Sequence, residues 1–282
     1  MKIGNREFDT ENRTYIMGIL NMTPDSFSDG GKFNTLYQAL KHTEQMIEEG
    51  ADIIDVGGES TRPGYVKGLS DEEEKQRILP VIEEIKKRFD IPVSVDTYKS
   101  RVAKAAVLCG ADLINDIWGL KADKDMAFVI ARAHCACCLM HNREKADYKN
   151  FLKEVGDDLK ETLRIAGNAG IENNKIILDP GVGFGKTYEQ NLMITNHLED
   201  LRQLGYPVLL GTSRKSMIGN TLNLPVTDRV EGTIATTVMG VMKGCSFVRV
   251  NDVKENKRAV AMTEAIMKSG LEKERVQGEL YG

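Results

Sequence analysis

The stretch KIILDPGVGFGKT, residues 175–187, joins an apolar run to a glycine-rich loop. The run is short and closes on Asp179, as expected for a parallel strand that is buried on both faces. The three glycines and the Lys-Thr pair suggest a phosphate-binding loop, but a P-loop would need glycine where Pro180 stands, and the dinucleotide pattern would need it where Lys186 stands. The stretch therefore predicts a buried strand with functional residues at its carboxyl end, and no nucleotide fingerprint.

The glycines of this loop have two interpretations. Without a Cβ, the backbone could pass close to a flat ligand whose polar edge is held by Asp179. Gly183 and Gly185 could equally serve a tight turn between a strand and a helix.

Similar apolar runs recur along the chain, and each precedes a segment with apolar residues three and four positions apart. The clearest helical segments are residues 36–49, 71–89, 99–108, 151–169 and 230–243. The eight runs are YIMGIL from Tyr15, ADIIDVG from Ala51, IPVSVD from Ile91, ADLIND from Ala111, CACCLMH from Cys135, KIILD from Lys175, PVLLG from Pro207 and FVRV from Phe247.

Eight strand-helix units predict an α/β fold of the (β/α)8 or TIM-barrel type. A doubly wound open sheet is the alternative, but it would normally have fewer strands and a glycine loop after the first, where this chain has GILNMTPDS. The first dozen residues precede the repeat, and we expect them to form a small hairpin under the barrel. We interpret residues 1–282 as one domain, because no low-complexity linker divides them.

Composition narrows the class of protein. The net charge of -4 argues against a broad basic surface for nucleic acid. The N-terminus is polar and no apolar run approaches the length of a membrane span, so we expect a cytoplasmic protein with no membrane partner. The cysteines number five, which is odd, and the CACC cluster lacks the spacing of a zinc site. We expect reduced thiols packed in the core.

Polar residues lie at or next to the end of every apolar run. An Asp or Asn in such a place is usually a turn residue or a helix cap. In a barrel, however, all carboxyl ends of the strands meet at one mouth, where active sites lie. Convergence therefore favours a site built from Asn21, Asp55, Asp96, Asn115, Asp116, His141, Asp179, Gly211, Arg249 and Asn251.

Seven motifs in order, NMTPDSFSDGG, DVGGESTRPG, VDTYKS, IND, LDPGVGFGK, GTSRKS and VRVND, make the chain resemble the dihydropteroate synthase family over nearly its whole length. The resemblance implies a barrel enzyme that condenses 6-hydroxymethyl-7,8-dihydropterin pyrophosphate with p-aminobenzoate in folate biosynthesis and releases pyrophosphate. Members are usually homodimers, need Mg²⁺ and are targets of sulfonamides.

The pterin edge presents N–H donors side by side, which a buried carboxylate can accept in pairs. Asp179 is the candidate for this role, with Asp96 and Asn115 completing the edge. We expect Lys215 to meet the ring carbonyl and N5, because a dry site with several acids needs a cation. Further candidates are the strand-end backbone of Gly211 and the apolar walls Met140 and Phe184, although both walls could equally be core.

Pyrophosphate departure requires positive charge, which Arg62 and Arg249 supply, with Mg²⁺ attached through Asn21. For Arg249 an ion pair at the bottom of the barrel is the alternative, and an anionic ligand at the mouth is the simpler explanation. Many family members carry Arg-x-His in the last motif, whereas this chain has Asn251, whose amide can donate to phosphate but cannot be protonated.

We expect the C–O bond to pyrophosphate to break first, leaving a cationic pterin methylene that the amine of p-aminobenzoate then attacks. Asp29 would stabilise the resulting cation or take the proton of the amine. We expect Phe27, Thr61 and Pro63 to enclose the benzoate ring, and its carboxylate to lie at the helix N-terminus opened by Ser216. Two other functions stay open: a pterin-binding, corrinoid-dependent methyltransferase, and a non-catalytic paralogue.

Overall fold

The computed structural model describes residues 1–23, 32–59 and 68–269. In these ranges every apolar run predicted as a strand forms one, and the eight strands are parallel neighbours in one sheet. The eight strands of this sheet are β3 (Tyr15–Asn21), β4 (Ile53–Gly57), β5 (Val93–Asp96), β6 (Leu113–Asp116), β7 (Ala136–Met140), β8 (Ile176–Asp179), β9 (Leu209–Leu210) and β10 (Phe247–Val250). Two short strands precede them and form a separate sheet, β1 (Lys2–Ile3) and β2 (Arg6–Glu7).

The sheet closes on itself. Strands β3 to β8 pair in chain order, while β10 lies between β3 and β9. A parallel bridge joins Leu178 to Val208, and the Leu178 N–H donates to the Pro207 carbonyl at 2.9 Å. These contacts join β8 to β9 and complete the barrel, which confirms the (β/α)8 prediction.

Helices alternate with the barrel strands. The segments predicted at 71–89, 99–108, 151–169 and 230–243 agree with the observed helices to within one residue at each end, whereas the segment predicted at 36–49 begins earlier. The helices are α1 (Lys32–Glu48), α2 (Asp71–Arg88), α3 (Ser100–Leu108), α4 (Met126–Ala133), α5 (Phe151–Ala169), α6 (Tyr188–Asn196), α7 (Leu198–Arg202), α8 (Ser216–Leu222), α9 (Val230–Met242) and α10 (Val253–Lys268).

Helix α2 shows how the sequence fixes such a unit. Ser70 and Glu73 form a capping box, in which each side chain accepts a hydrogen bond from the backbone N–H of the other. Acidic residues in the first turn and basic residues in the last turn complement the helix dipole. Ile78, Ile82 and Ile85 are buried in the shell between helices and strands, so the helix has one apolar face and one solvated face.

Strand residues alternate between two apolar layers. Outward residues such as Ile54, Val95 and Leu178 pack under the helices, while inward residues such as Met17, Ile53 and Ile177 fill the barrel. Both faces are buried, which explains why the strands read as continuous apolar runs. Cys137 and Cys138 take opposite sides of β7 in these two layers, and burial raises the pKa of both thiols. Their predicted place in the core is confirmed.

The N-terminal hairpin closes the bottom of the barrel. Strands β1 and β2 pair antiparallel. Ile3 is fully buried, and the Phe8 ring meets Tyr15 edge-on with 4.8 Å between centroids and lies 5.8 Å from the Phe247 ring. Since Tyr15 and Phe247 begin their strands, this aromatic cluster lies at the end opposite the polar mouth, as the sequence predicted.

Among the helices in the described ranges, none combines the length and apolarity needed to cross a membrane.

Candidate active site

Most of the polar residues at the carboxyl ends of the strands converge as predicted. Asp116 does not, because it takes the outward register of β6 and accepts hydrogen bonds from the backbone N–H groups of Trp118 and Leu120 as a turn residue. Asp55, Asp96, Asn115 and Asp179 are buried and occupy the inward register of β4, β5, β6 and β8. The same two-residue period that places Ile53 and Ile177 in the barrel core places these side chains one layer higher. The mouth of the barrel is therefore lined with carboxylates and one amide.

Arg249 supplies the charge that these carboxylates need. Its Nε donates to Asp55 Oδ2 at 2.6 Å, and its Nη2 donates to Asp96 Oδ2 at 2.7 Å. Burial disfavours the guanidinium charge, but the two carboxylates outweigh burial and raise the pKa of Arg249. Arg249 therefore lies at the mouth and not in an ion pair at the bottom of the barrel, but its ion pairs with Asp55 and Asp96 were not expected. Its contact with an anionic ligand stays a prediction.

Asp55 anchors this network, although the sequence argument gave it no role beyond its place at a strand end. Besides Arg249, it accepts hydrogen bonds from Ser94 Oγ at 2.5 Å and from Asn115 Nδ2 at 3.3 Å. Asp55 and Ser94 occupy inward positions one layer below Asp96. Their strand register was the signal that could have identified them.

One carboxylate oxygen of Asp96 can accept a hydrogen bond from a ligand. Its Oδ2 is bonded to Arg249, whereas Oδ1 is buried and has no hydrogen-bond partner among the described residues. Burial raises the pKa of Asp96 to about 7, against the opposing charge of Arg249. A buried, unpaired acceptor is costly unless a ligand satisfies it.

Asp179 and Lys215 form the opposite side of the pocket. The Gly181 N–H donates to Asp179 Oδ1 at 2.7 Å. Burial raises the pKa of Asp179 and lowers that of Lys215 to about 8, and each group opposes the shift of the other. Lys215 Nζ also donates to the Val182 carbonyl and lies 4.8 Å from the centre of the Phe184 ring.

Gly211 marks the point where these groups meet. A Cβ added there would lie 3.9 Å from each of Asp179 Oδ2, Lys215 Nζ and Arg249 Cβ. A Cβ added at Gly57 would likewise lie 3.7 Å from Asn21 Oδ1 and 3.8 Å from Asp96 Oδ2. Asn21 therefore belongs to the Asp96 side of the mouth.

The glycines after Asp179 make room for the protein's own chain. Gly181 has φ +70°, and a Cβ there would lie 1.9 Å from the His141 carbonyl oxygen. Gly185 has φ +50°, and its Cβ would lie 2.2 Å from the Arg143 carbonyl oxygen. The interpretation of these glycines as a close approach to a ligand is replaced, for Gly181 and Gly185, by a tight turn packed on the loop after β7.

The remaining predicted residues lie around this pocket. Met140 ends β7, buried in the inward register, and Ser216 is the exposed first residue of α8. Asn251 Oδ1 accepts a hydrogen bond from Ser213 Oγ at 2.9 Å, which leaves the amide Nδ2 as its donor group. His141 is buried between Asp158 and Lys186, as expected of a supporting histidine.

Several predicted residues lie outside the described ranges. They are Phe27, Asp29, Thr61, Arg62 and Pro63. Their predicted roles stay predictions.

An eight-stranded barrel with buried charged side chains at the carboxyl ends of its strands has the architecture of an α/β-barrel enzyme. The family model described as "Pterin binding enzyme" matches residues 17–251. A dihydropteroate synthase of Clostridium beijerinckii is 63% identical over 95% of this chain and 100% of its own length. The chain belongs to the pterin-binding enzymes and, within them, to the dihydropteroate synthases.

Solved structures of similar proteins agree. Clostridium difficile dihydropteroate synthase with pteroic acid superposes with a TM-score of 0.90 at 51% identity, covering 92% of this chain and 99% of that one. Xanthomonas albilineans dihydropteroate synthase with 4-aminobenzoic acid gives 0.87 at 40% identity, covering 91% and 94%. The family assignment decides against the methyltransferase alternative.

Proposed function

We propose that the pocket between Asp96, Asp179 and Lys215 seats the pterin ring for the dihydropteroate synthase reaction. That reaction joins 6-hydroxymethyl-7,8-dihydropterin pyrophosphate to p-aminobenzoate and releases pyrophosphate. The observation that carries the assignment is Asp96 Oδ1, a buried acceptor with no partner in the described residues. It requires a ligand with an N–H donor, which the pterin edge provides.

Asp96 and Asp179 would accept hydrogen bonds from different N–H groups of the ring. Asp179 Oδ1 is occupied by the Gly181 N–H, so Oδ2 is left to accept from the amino and ring N–H groups. Asn115 uses its Nδ2 on Asp55, which leaves its carbonyl oxygen as an acceptor. Lys215, opposite them, donates to the ring carbonyl and N5. The acceptors of the pocket then face the N–H groups of the heterocycle, and its lysine donor faces the ring carbonyl and N5.

Positive charge for the leaving pyrophosphate comes from the other side of the mouth. Two of the nitrogens of Arg249 are bonded to carboxylates, and its Nη1 completes the fork. We assign Nη1, the Nδ2 of Asn251 and the side chain of Arg62 to the pyrophosphate oxygens. Because Asn251 is never cationic, pyrophosphate binding should not gain strength from protonation near pH 6, as it would with an imidazole there.

Magnesium fits as a substrate-borne ion. Among the described residues no group of three His, Cys, Asp or Glu side chains could hold a metal, but Asn21 presents a hard oxygen near Asp96. Mg²⁺ commonly binds through one or two protein oxygens and substrate phosphates, where it neutralises developing charge. Chelation should therefore stop pyrophosphate release while leaving the binding of a dihydropterin without phosphates unchanged.

The chemistry begins with cleavage of the C–O bond, whose electron pair leaves with pyrophosphate. Electron donation from the reduced ring stabilises the methylene cation that remains. The p-aminobenzoate nitrogen then forms the new C–N bond and loses a proton, for which we assign Asp29. We place its ring against Phe27, Thr61 and Pro63 and its carboxylate at the start of α8, where Ser216 opens the helix.

The test is pyrophosphate release by the purified chain, with and without p-aminobenzoate. A dihydropteroate synthase releases pyrophosphate in proportion to dihydropteroate formed, whereas a non-catalytic paralogue binds the pterin without turnover. Pyrophosphate release at the same rate with and without p-aminobenzoate, or no pyrophosphate release, would contradict the proposal.

Asp179→Ala tests the pterin assignment itself. Hydrogen bonds to a charged group contribute about 1.5–3 kcal/mol, so we expect dihydropterin affinity to fall about 10- to 100-fold. Asp179→Asn keeps one acceptor and the side-chain size, and it should give a smaller loss. Calorimetric titration with a dihydropterin measures both, and undiminished binding by Asp179→Ala would place the ring elsewhere.

A homodimer is proposed as well. Met242 on α9 and Met262 and Ile266 on α10 are 65%, 62% and 60% exposed. The two helices pack against each other, so these side chains can form a joint apolar surface. A second copy of the chain would cover it.

A further inference from the structure

We propose that Lys186 is a positioning residue for pterin binding: its ammonium, bonded to the chain segments that follow β7 and β8, holds the turn that supports Asp179. We call residues 180–187 the Asp179 turn. The inference rests on the proposed contact between Asp179 and the pterin.

The ammonium of Lys186 lies among acceptors from both segments. Nζ is 2.9 Å from the Gly181 carbonyl oxygen and 3.0 Å from the Phe184 carbonyl oxygen, both within the Asp179 turn. It is 2.8 Å from His141 Nδ1 and 3.5 Å from the His141 carbonyl oxygen, just after β7. One cation therefore joins the two segments just beyond the end of the β7–β8 ladder, where the His141 N–H donates to the Asp179 carbonyl at 2.9 Å.

His141 is prepared for this contact. Burial and the charge of Lys186 lower the pKa of His141 to about 3, against the opposing effect of Asp158, so the imidazole is neutral. Its Nε2 lies 3.0 Å from Asp158 Oδ2, which requires Nε2 to carry the proton and leaves Nδ1 as an acceptor. Arg143 Nε holds the same Asp158 oxygen at 2.7 Å. The ring orientation is thus fixed from behind.

The link to the ligand runs through Gly181. Its carbonyl accepts from Lys186, and its N–H donates to Asp179 Oδ1. Phe184, the proposed wall of the pocket, is held by its carbonyl in the same way. Loss of the ammonium would leave the Gly181 carbonyl without this donor, and glycine, which has no Cβ, could then adopt other backbone conformations. The Asp179 carboxylate would then lose its fixed direction.

Lys215 holds the same turn from the pocket side, through the Val182 carbonyl. The Asp179 turn is therefore held by two lysines: Lys215 faces the ligand and Lys186 faces the loop behind. Burial lowers the pKa of Lys186 to about 7, and the Asp179 carboxylate opposes that shift.

Lys186→Met tests the inference, since methionine keeps the length and the apolar stem but removes the donors. We expect the dissociation constant for a dihydropterin, measured by calorimetry, to rise at least about tenfold. The KM for p-aminobenzoate, measured at saturating pterin substrate, should stay within about twofold. A purely structural role would lower the melting temperature without separating these two constants.

Lys86→Met is the matched control. Lys86 forms a half-buried ion pair with Asp112, 2.8 Å long, away from the mouth. Its loss should lower stability and leave both constants unchanged.

Tyr148→Phe provides a milder second variant in case Lys186→Met folds poorly. The Tyr148 hydroxyl donates to the Gly185 carbonyl at 2.8 Å and so supports the same turn by a single neutral bond. We expect a rise of about two- to fivefold in the dihydropterin dissociation constant.

Unchanged dihydropterin binding in both variants overturns the inference. If Asp179→Asn also binds the dihydropterin undiminished, the pterin assignment itself has failed; if only Asp179→Asn weakens binding, the assignment stands without the role of Lys186.

Discussion

At the scale of single residues, burial changes what ordinary side chains do. Asp96 and Lys215 would be a charged acid and a charged base on any surface, and burial moves their pKa values toward one another, to about 7 and about 8. The Asp96 carboxyl group is the stronger acceptor for the pterin N–H groups when it is ionised, and Lys215 donates best when it is charged. The pocket is then fully competent only in a narrow range of pH.

Dihydropterin affinity should accordingly rise as Asp96 ionises, near pH 7, and fall as Lys186 and Lys215 lose their protons, near pH 7 and pH 8. The rising limb then reflects ionisation of Asp96, and the falling limb reflects loss of the two lysine protons. Asp96→Asn should weaken binding and flatten the rising limb while keeping the falling one. Titration of a phosphate-free dihydropterin at a series of pH values measures this, and an unaltered rising limb in Asp96→Asn would assign it to another group.

At the scale of elements, the Asp179 turn shows that a glycine can be required for two separate reasons. Gly181 and Gly170 both have left-handed backbone conformations, with φ +70° and +87°. A Cβ at Gly181 would collide with the His141 carbonyl, whereas nothing lies within 4 Å of a Cβ at Gly170, which ends α5. Substitution at the first site strains the backbone and displaces a neighbouring loop, while substitution at the second only strains the backbone.

Gly181→Ala is therefore expected to reduce dihydropterin affinity at least about tenfold. Gly170→Ala should cost about 1 kcal/mol of stability, or about 2–4 °C in melting temperature, with pterin binding unchanged. Calorimetric titration and thermal unfolding of the two variants give the comparison. Equal effects on binding would show that the turn is not held against the loop after β7 in the way we describe.

At the scale of the whole molecule, the barrel places its aromatic cluster, its charged pocket and its exposed apolar surface in different regions. The aromatic cluster of Phe8, Tyr15 and Phe247 lies at the bottom and the charged pocket at the top. The exposed methionines of α9 and α10 lie on the outer ring of helices. Assembly through that surface would leave the mouth formed within each chain.

The proposed homodimer predicts a mass in solution of twice the 31.4 kDa of one chain. Met262→Glu should shift the equilibrium to the monomer, because burying an unpaired carboxylate opposes association. Phe128→Glu is the matched control, since Phe128 is an exposed apolar residue on α4, away from α9 and α10. Sedimentation velocity over a range of concentrations measures the oligomeric state of each variant. A monomeric wild-type chain, or dissociation caused only by Phe128→Glu, would contradict a dimer formed through α9 and α10.

The sequence by itself determined the elements and the types of residue at their ends. Burial on both faces produces a continuous apolar run, and this local pattern is visible in all eight strands. The motifs at the strand ends identified Asp96, Asn115, Asp179 and Lys215 and pointed to the family before any geometry was known.

Only the tertiary structure decided which of these residues touch. Arg249 meets Asp55 and Asp96 across separations of 194 and 153 residues, because the barrel closes and brings β10 beside β3. No local period carries that information, since partners around a barrel depend on strand order and register. For the same reason Lys186 looked like the end of a glycine loop, when the fold makes it the centre of a contact between two loops.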